Sequence, residues 1–393
     1  MNNDSIGQRF KQSISLTLDE SLTGLPVWFR IPVGIARHFP RKSSPRKTPN
    51  TVAARLAKTL LKEDLESLRR IRGLMLELLS EDRLENGGWG KRNNKVLRKF
   101  FGDLPDDFDT EGSITLTRWV IDALAFSQSN QKVKSRFLDE RLHSYLDARF
   151  DRRKGASGRV GTPDLLGRRF IQPAPRHTAS SILCYLGLDA DRFLHSASEQ
   201  INYLVTSRDE WMNNLHEVGH PDILRSLFLS RYYLPDQKSA ETDSIDLLIK
   251  DCSSFLWNWL NSRRSIPLEF GPEAALYLRL YSLCSISDIS AVQSLSQAFL
   301  PLRNFRLALH EDVQEFCTGG KVADHRVWGF RTLLLWSYLC SPSAGEDIGA
   351  LKELLLSVID VGGDFREGFC VYWAVLFAVA DCVLQNGGYD VKS

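Results

Sequence analysis

The clearest candidate for catalytic chemistry in the sequence is the string HEVGH at positions 216–220. On a helix this spacing places the imidazoles of His216 and His220 on one face, where they can bind zinc, and Glu217 can act as a general base. Pro221 follows the second histidine directly and favours a helix start at this point. The string therefore indicates either a zinc site formed by these three residues or a junction between two helices.

A second candidate is the acidic stretch DDFDTEGS, which begins at Asp106. Its Asp109 and Glu111 are candidate catalytic acids. Asp106, Asp107 and Asp109 are also the kind of clustered carboxylates that hold magnesium with a diphosphate. The other interpretation is a solvated loop that caps the following helix.

The elements that would position these residues are helices. From about Thr51 onward, apolar residues recur at three- and four-residue spacing, which is typical of amphipathic helices, and alternating strand patterns are scarce. Residues 1–52 are expected to form an N-terminal extension with a basic loop at Arg37–Lys47, which is either a contact site or a solvated tether. Residues 53–393 are expected to form one helical domain.

Six segments share a charged or small polar start followed by an apolar run too continuous for a surface helix. They begin at Ser113, Arg176, His220, Pro272, His325 and Glu367, at intervals of roughly fifty residues. More amphipathic segments, such as Ser244–Trp259 and Ala350–Val358, lie between them. Buried helices that alternate with half-exposed ones predict an all-α fold, an α/α toroid of about six helix pairs.

Two related turns support the repetition. LENGGW at 84–89 and LQNGGY at 384–389 each place Asn-Gly-Gly after a helical segment, where glycine accepts a left-handed backbone and the aromatic residue can pack back on the helix. Such turns, followed by apolar inner helices, resemble the repeats of squalene and terpene cyclases and of protein prenyltransferase beta subunits. The resemblance covers about residues 55–390, and its best local match is EGFCVYW at Glu367–Trp373.

The resemblance implies a toroidal fold, but neither family's catalytic residues match this chain. Class II terpene cyclases use a DxDD motif, and the nearest string here, Asp107-Phe108-Asp109-Thr110, lacks one aspartate. Where prenyltransferase beta subunits carry a zinc-binding cysteine, this chain has Phe369. Cys370 is one place further along, which turns it about 100° around a helix.

In a toroid every inner helix begins at the same rim, so the polar residues at the six helix starts would gather there. This arrangement makes His177, His220 and His325 candidate acid–base residues or metal ligands, beside Asp109 and Glu111. The interior below the rim would be an aromatic cavity, and the candidates for its lining are Trp119, Tyr185, Phe228, Tyr277, Trp328, Trp336 and Trp373.

Composition limits the remaining choices. Lys and Arg total 50 against 48 Asp and Glu, so we expect no nucleic acid partner. Seven scattered cysteines without a CxxC pair indicate buried thiols in a reducing compartment. No signal-peptide pattern is present, and the longest apolar stretch, 369–384, contains Asp381 and is short for a membrane span. We therefore expect a cytoplasmic protein.

Three functions remain open, and the sequence leaves undecided whether the chain is an enzyme. The favoured one is a toroid that binds a partner protein, a peptide or an apolar ligand at its central cavity or rim, without the family's catalytic chemistry. The second is an enzyme with a rim active site that acts on an isoprenoid-like or other apolar substrate. The third is a zinc metallopeptidase through HEVGH, and zinc is the one cofactor that the sequence suggests.

Overall fold

The computed structural model describes residues 50–90, 112–126, 136–160, 170–188, 199–212, 220–233, 300–319, 324–340, 346–362 and 364–387, and parts of 244–252 and 273–284. Within these ranges the chain is mostly helical and contains one small sheet, so the predicted all-α character is confirmed. No helix among the described residues is long and apolar enough to cross a membrane.

The described chain begins with helices α1, Thr51–Ala57, and α2, Lys62–Glu81. The Asn50 side chain donates a hydrogen bond to the Leu339 carbonyl oxygen at 2.6 Å, and the Asn50 backbone N–H donates to Asn386 Oδ1 at 2.8 Å. These bonds fix the start of the helical body to two helices near the end of the chain.

The remaining elements follow in chain order. They are α3 (Ile114–Phe126), α4 (Glu140–Asp147), β1 (Phe150–Asp151), β2 (Ala156–Val160), β3 (Ile171–Pro173), α5 (Pro175–Leu188), α6 (Arg208–Met212), α7 (His220–Tyr233), α8 (Leu300–Thr318), α9 (Asp324–Cys340), α10 (Ile348–Ile359), a 3₁₀ turn (Asp364–Glu367) and α11 (Cys370–Asn386). Further helical residues lie within 199–206, 244–252 and 273–284.

All six apolar segments predicted from the sequence are helical. They correspond to α3, α5, α7, the helical residues of 273–284, α9 and α11. In α11 every residue from Cys370 to Leu384 is buried, whereas α2 buries only one face. The predicted alternation of buried and half-exposed helices is therefore present in the described ranges.

The buried helices pack against one another in a regular order. Helix α3 packs on α5, α5 packs on α7, α9 packs on α11, and α11 packs back on α3. The amphipathic helices lie against this group, because α2 packs on α11, α8 on α9, and α10 on α9, α1 and α2. The last buried helix thus contacts the first, although their first residues, Ile114 and Cys370, are 256 positions apart in the chain.

The first Asn-Gly-Gly turn behaves as predicted. Gly87 has φ +97°, a left-handed conformation that favours glycine, and the Trp89 indole Nε1–H donates to the Leu79 carbonyl oxygen at 2.9 Å. Trp89 thereby packs back on the helix that has just ended. In the second copy Gly387 has φ −79°, so this glycine is not left-handed, and the residues after it lie outside the described ranges.

One hydrogen-bond pattern occurs before two of the buried helices. The Thr117 hydroxyl on α3 accepts from Trp89 N at 2.9 Å, and the Thr178 hydroxyl on α5 accepts from Ser157 N at 3.1 Å. Each threonine hydroxyl also lies within hydrogen-bond distance of the carbonyl oxygen of the same residue. Both helices therefore hold the extended segment before them in the same way, which is a structural sign of repetition.

The small sheet lies between α4 and α5. Its strands pair antiparallel in the order β1-β2-β3, with Asp151 opposite Ala156 and Arg159 opposite Gln172. The sequence analysis expected at most minor strands, and these three are short. Through Ser157 and Thr178 the sheet is attached to the first turn of α5.

Candidate functional site

The HEVGH string lies largely outside the described residues. His216 and Glu217 fall before the described range, and His220 begins α7 with a side chain that is not described. The helix start at His220 agrees with a junction at this point, and the zinc site stays a prediction. Across the described ranges no group of three or more His, Cys, Asp or Glu side chains could hold a metal ion.

The acidic candidates also lie outside the described residues. This applies to Asp109 and Glu111 and to the neighbouring Asp106 and Asp107. Their predicted roles as acids or magnesium ligands therefore stay predictions.

His177 lies in the first turn of α5 and is partly buried. Its pKa is lowered to about 3, first by burial and then by the positive charges of Arg176, Arg159 and Arg149. An imidazole with this pKa is neutral at pH 7, so it is a poor general acid there. Burial is thus the main reason for the neutral state of His177, and three arginines near the start of α5 add to it.

His325 and its neighbour Arg326 lie in the first turn of α9, where each contacts a carboxylate from a different segment. The His325 Nδ1 is 3.3 Å from Glu367 Oε2, and the two side chains are 13% and 68% exposed. Beside it, Arg326 Nη1 donates to both carboxylate oxygens of Glu273 at 2.6 Å. These contacts bring together the starts of three buried segments, and the common rim stays a prediction.

The predicted cavity-lining side chains are deeply buried. Phe228 has a side chain that is not described, and the other six are at most 6% exposed: Trp119, Tyr185, Tyr277, Trp328, Trp336 and Trp373. Four of them, Trp119, Tyr277, Trp328 and Trp336, pack on other aromatic rings, with centroid distances of 4.6 Å for Trp119–Tyr281 and 4.4 Å for Phe126–Trp336. In this arrangement the rings contact one another and offer little surface to a ligand.

The aromatic contacts continue through the interior. Tyr277 lies 6.2 Å from Tyr281 and 6.4 Å from Tyr372, measured between ring centroids. Tyr372 is in turn 5.5 Å from Trp328. Together with Trp119 these rings form a continuous aromatic core that connects four of the buried segments, α3, 273–284, α9 and α11.

A buried charge network lies beside this aromatic core, and the sequence analysis did not predict it. Asp222 on α7 is fully buried and accepts hydrogen bonds from Arg118 on α3 and from the Tyr281 hydroxyl, the latter at 2.7 Å. Arg118 Nη1 is also 3.0 Å from Asp122 Oδ2, and Arg225 Nη1 donates to the same carboxylate at 2.7 Å. Two arginines and two aspartates from α3 and α7 thus neutralise one another.

The pKa directions agree with a closed network. Burial alone would lower the pKa of Arg118, but the carboxylates of Asp122 and Asp222 outweigh it and raise that pKa. Burial, followed by the negative charge of Asp222, raises the pKa of Tyr281 well above its usual value. Arg118 therefore stays charged and Tyr281 stays neutral, which are the forms that the network needs.

A signal for this network was present in the sequence. Arg118 and Asp122 are four residues apart inside an otherwise apolar segment, and Asp222 and Arg225 are three apart inside another. Charges at such positions must find partners when the segment is buried. Predicting which of these charges pair between the two segments requires knowledge of which helices are neighbours.

The sheet next to α5 carries a different set of charges. Arg152, Arg153 and Lys154 occupy the turn between β1 and β2, and Arg159 lies on β2; all four are exposed. The nearby Asp151 carboxylate accepts from the backbone N–H groups of Arg153 and Lys154, at 2.9 and 3.4 Å. We call these four residues the basic sheet surface.

Comparison of the chain with protein-family models, with curated proteins and with solved structures finds no match. The geometry described above therefore carries the functional argument.

Proposed function

We propose that this chain forms a closed ring of six helix pairs, with a fold similar to that of terpene cyclases and prenyltransferase beta subunits, and that it binds a protein or peptide partner at its rim. The inner helices would be α3, α5, α7, the helix within 273–284, α9 and α11. The proposed function is binding, without the catalytic chemistry of terpene cyclases or prenyltransferases.

The order of contacts supports a closed ring. Consecutive inner helices pack on each other from α3 to α7 and from α9 back to α3. The helix within 273–284 bridges the remaining gap, because Tyr281 bonds to Asp222 on α7 and Cys284 Sγ lies 3.2 Å from the Leu333 carbonyl oxygen on α9. Every inner helix therefore has a neighbour on each side.

The observation that carries the functional proposal is contact across the centre. In a ring of six, the first and fourth inner helices are opposite each other, and Trp119 of the first packs on Tyr281 of the fourth at 4.6 Å. A ring that holds an apolar ligand in its centre would keep these side chains apart. The contact between these side chains, and the burial of Arg118 and Asp222 to at most 1% exposed, support binding at the rim over binding in the centre.

Hydrogen–deuterium exchange on a partner complex tests this proposal. The chain is used as bait, a stoichiometric partner is identified, and exchange is compared with and without it. We expect slower exchange in the first turns of α5, α9 and α11 and no change in the middle of α3 and α11. Slower exchange confined to the aromatic core would contradict the proposal.

A ligand test addresses the central cavity directly. Farnesyl diphosphate is expected to leave the melting temperature unchanged, since a ligand raises it only by binding the folded state. A rise in melting temperature that is lost in Tyr277→Ala would contradict a filled centre. The control is the same measurement with inorganic diphosphate, which separates binding of the apolar chain from binding of the phosphates.

One observation favours an enzyme with a rim active site as a second candidate. His325 next to Glu367 is an arrangement that supports general acid–base chemistry, and Arg326 and Glu273 lie beside it. This candidate predicts release of diphosphate from farnesyl diphosphate, and loss of that release in His325→Gln with the melting temperature retained. If the wild type releases no diphosphate from farnesyl diphosphate, this reaction is excluded.

A further inference from the structure

The basic sheet surface gathers several exposed cations close together in the chain. Five arginines elsewhere pair with carboxylates: Arg72 with Asp381, Arg83 with Asp139, Arg208 with Asp251, Arg279 with Asp312 and Arg326 with Glu273. Among the described residues, the side chains of Arg152, Arg153, Lys154 and Arg159 form no such pair, and Arg159 donates only to the neutral Gln172 amide, at 2.9 Å. Within the described ranges, four exposed cations on one small sheet thus lack a salt bridge to a carboxylate, and the nearby Asp151 accepts from backbone N–H groups.

The positive potential extends from the sheet to the adjoining helix. Burial is the largest cause of the lowered pKa of His177, in the first turn of α5, and the positive charges of Arg176, Arg159 and Arg149 lower it further. The N-terminus of α5 adds a partial positive charge of its own. Sheet and helix start therefore form one continuous cationic region at the proposed rim.

An exposed apolar side chain accompanies the cations. Phe170 is 55% exposed and directly precedes β3, whose Gln172 is opposite Arg159 in the sheet. An exposed phenylalanine beside arginines suits a partner that carries both acidic and apolar side chains. The Phe170 side chain offers an apolar contact, which a simple counter-ion would not use.

We propose that the basic sheet surface, with Phe170, binds an acidic peptide segment of the partner protein; this inference rests on the proposed binding function. Three of the cations lie together in the turn between β1 and β2, and Arg159 lies on β2, at most about 16 Å from Lys154 for five residues. Several carboxylates spaced along an extended chain can reach both places, whereas a single phosphate group would reach only one of them. The chain's net charge of only +2 gives little long-range attraction for a nucleic acid.

Fluorescence anisotropy with a defined peptide tests the inference. The probe is a fluorescein-labelled peptide of alternating glutamate and leucine, titrated with the full chain at low and at physiological salt. We expect saturable binding that weakens with salt and weakens at least about tenfold in the variant R152E/R153E/K154E, since opposed charges at a surface act strongly on association. A lysine–leucine peptide should not bind.

A matched control separates local from general charge effects. The variant R55E/K58E/R70E removes three exposed cations from α1, α2 and their junction and changes the net charge equally. It should bind the peptide within about twofold of the wild type, because these cations lie outside the surface. Both variants are compared with the wild type by melting temperature, so that loss of fold is not mistaken for loss of binding.

Three results would overturn the inference: no binding of the acidic peptide to the wild type, equal loss in both variants, or tighter binding of a single-stranded oligonucleotide of equal charge. These results leave the proposed function intact if the exchange experiment still finds a partner at the rim. Conversely, a partner could slow hydrogen–deuterium exchange only in the aromatic core while the acidic peptide still binds the sheet. That result would contradict the proposed function and support the acidic-peptide site.

Discussion

The buried network around Arg118 and the basic sheet surface use the same residue types in opposite ways. In the network every charge has a partner on a neighbouring helix, and both Arg118 and Asp222 are at most 1% exposed. On the sheet, Arg152, Arg153, Lys154 and Arg159 face solvent without carboxylate partners among the described residues. The comparison teaches that arginine content alone does not mark a candidate binding surface; exposure, lack of carboxylate partners and clustering have to coincide.

The physical reason for the difference is desolvation. Taking an ion out of water is costly, so a buried charge is tolerated only when partners compensate it closely. An exposed cation keeps its water and needs no partner. Removing a partner should therefore matter greatly in the network and very little on the sheet.

The largest effect is expected from Asp222→Ala. It leaves Arg118 without one of its two carboxylates and Tyr281 without its acceptor, so we expect a loss of about 3–5 kcal/mol in the free energy of unfolding. Urea denaturation followed by circular dichroism measures it. The matched control is Asp251→Ala, whose pair with Arg208 is 31% and 41% exposed and should contribute about 1 kcal/mol or less. Equal losses in both variants would contradict a special role for the network.

The next effect tests the packing of the aromatic core. A methyl group at Gly329 would lie 2.5 Å from a ring carbon of Tyr372, so Gly329→Ala should destabilise the fold by about 1–3 kcal/mol. Gly73 on α2 has open space around its Cβ position, and Gly73→Ala should be neutral or stabilising by up to about 1 kcal/mol. Thermal melts of both variants provide the measurement. A stable Gly329→Ala variant would indicate that the centre contains free space.

A pH experiment tests whether burial and the neighbouring arginines lower the pKa of His177, next to the sheet. The folded-state pKa of His177 is about 3, below its usual value of 6.5, so as pH falls below 6.5 the unfolded chain takes up the proton first. The contribution of neutral His177 to the free energy of unfolding is complete above pH 6.5 and is lost as the pH falls from 6.5 to 3. Between pH 7.5 and 5 we expect the wild type to lose about 1–2 kcal/mol more than His177→Gln. Parallel pH profiles for the two proteins would show that the environment of His177 is ordinary.

The smallest stability effect is expected on the sheet. Reversing the charges of Arg152, Arg153 and Lys154 should change the free energy of unfolding by no more than about 0.5 kcal/mol, because no described interaction depends on these side chains. Chemical denaturation of the triple variant measures it. A loss as large as that of Asp222→Ala would mean that the cations have structural partners and that the sheet is not a free surface.

The helices were predictable from the sequence, because continuous apolar runs such as the one that became α11 have few other ways to be buried. The start of α7 at His220 followed from the proline after it. The small sheet was not located, since a five-residue strand such as Ala156–Val160, with its Gly-Arg pair, carries almost no alternating signal.

The site was less predictable than the fold. Charges inside apolar segments indicated that partners were needed, but the pairing of Arg118 with Asp222 joins residues 104 apart in the chain and depends on tertiary packing. The aromatic side chains predicted to line a cavity are buried, but their contacts with one another could not be read from spacing. Periodicity tells which face of a helix is buried, and not whether that face meets a cavity or another side chain.

A double-mutant cycle between Arg118 and Asp222 tests the central claim, a charge-compensated and tightly packed helical core, most directly. The free energies of unfolding of Arg118→Met, Asp222→Leu and the double variant are compared with the wild type. Because each single change strands a buried charge, the account predicts that the double variant is more stable than the sum of the two losses implies, by at least about 1.5 kcal/mol. Losses that add to within about 0.5 kcal/mol would contradict it, since the two helices would then not meet.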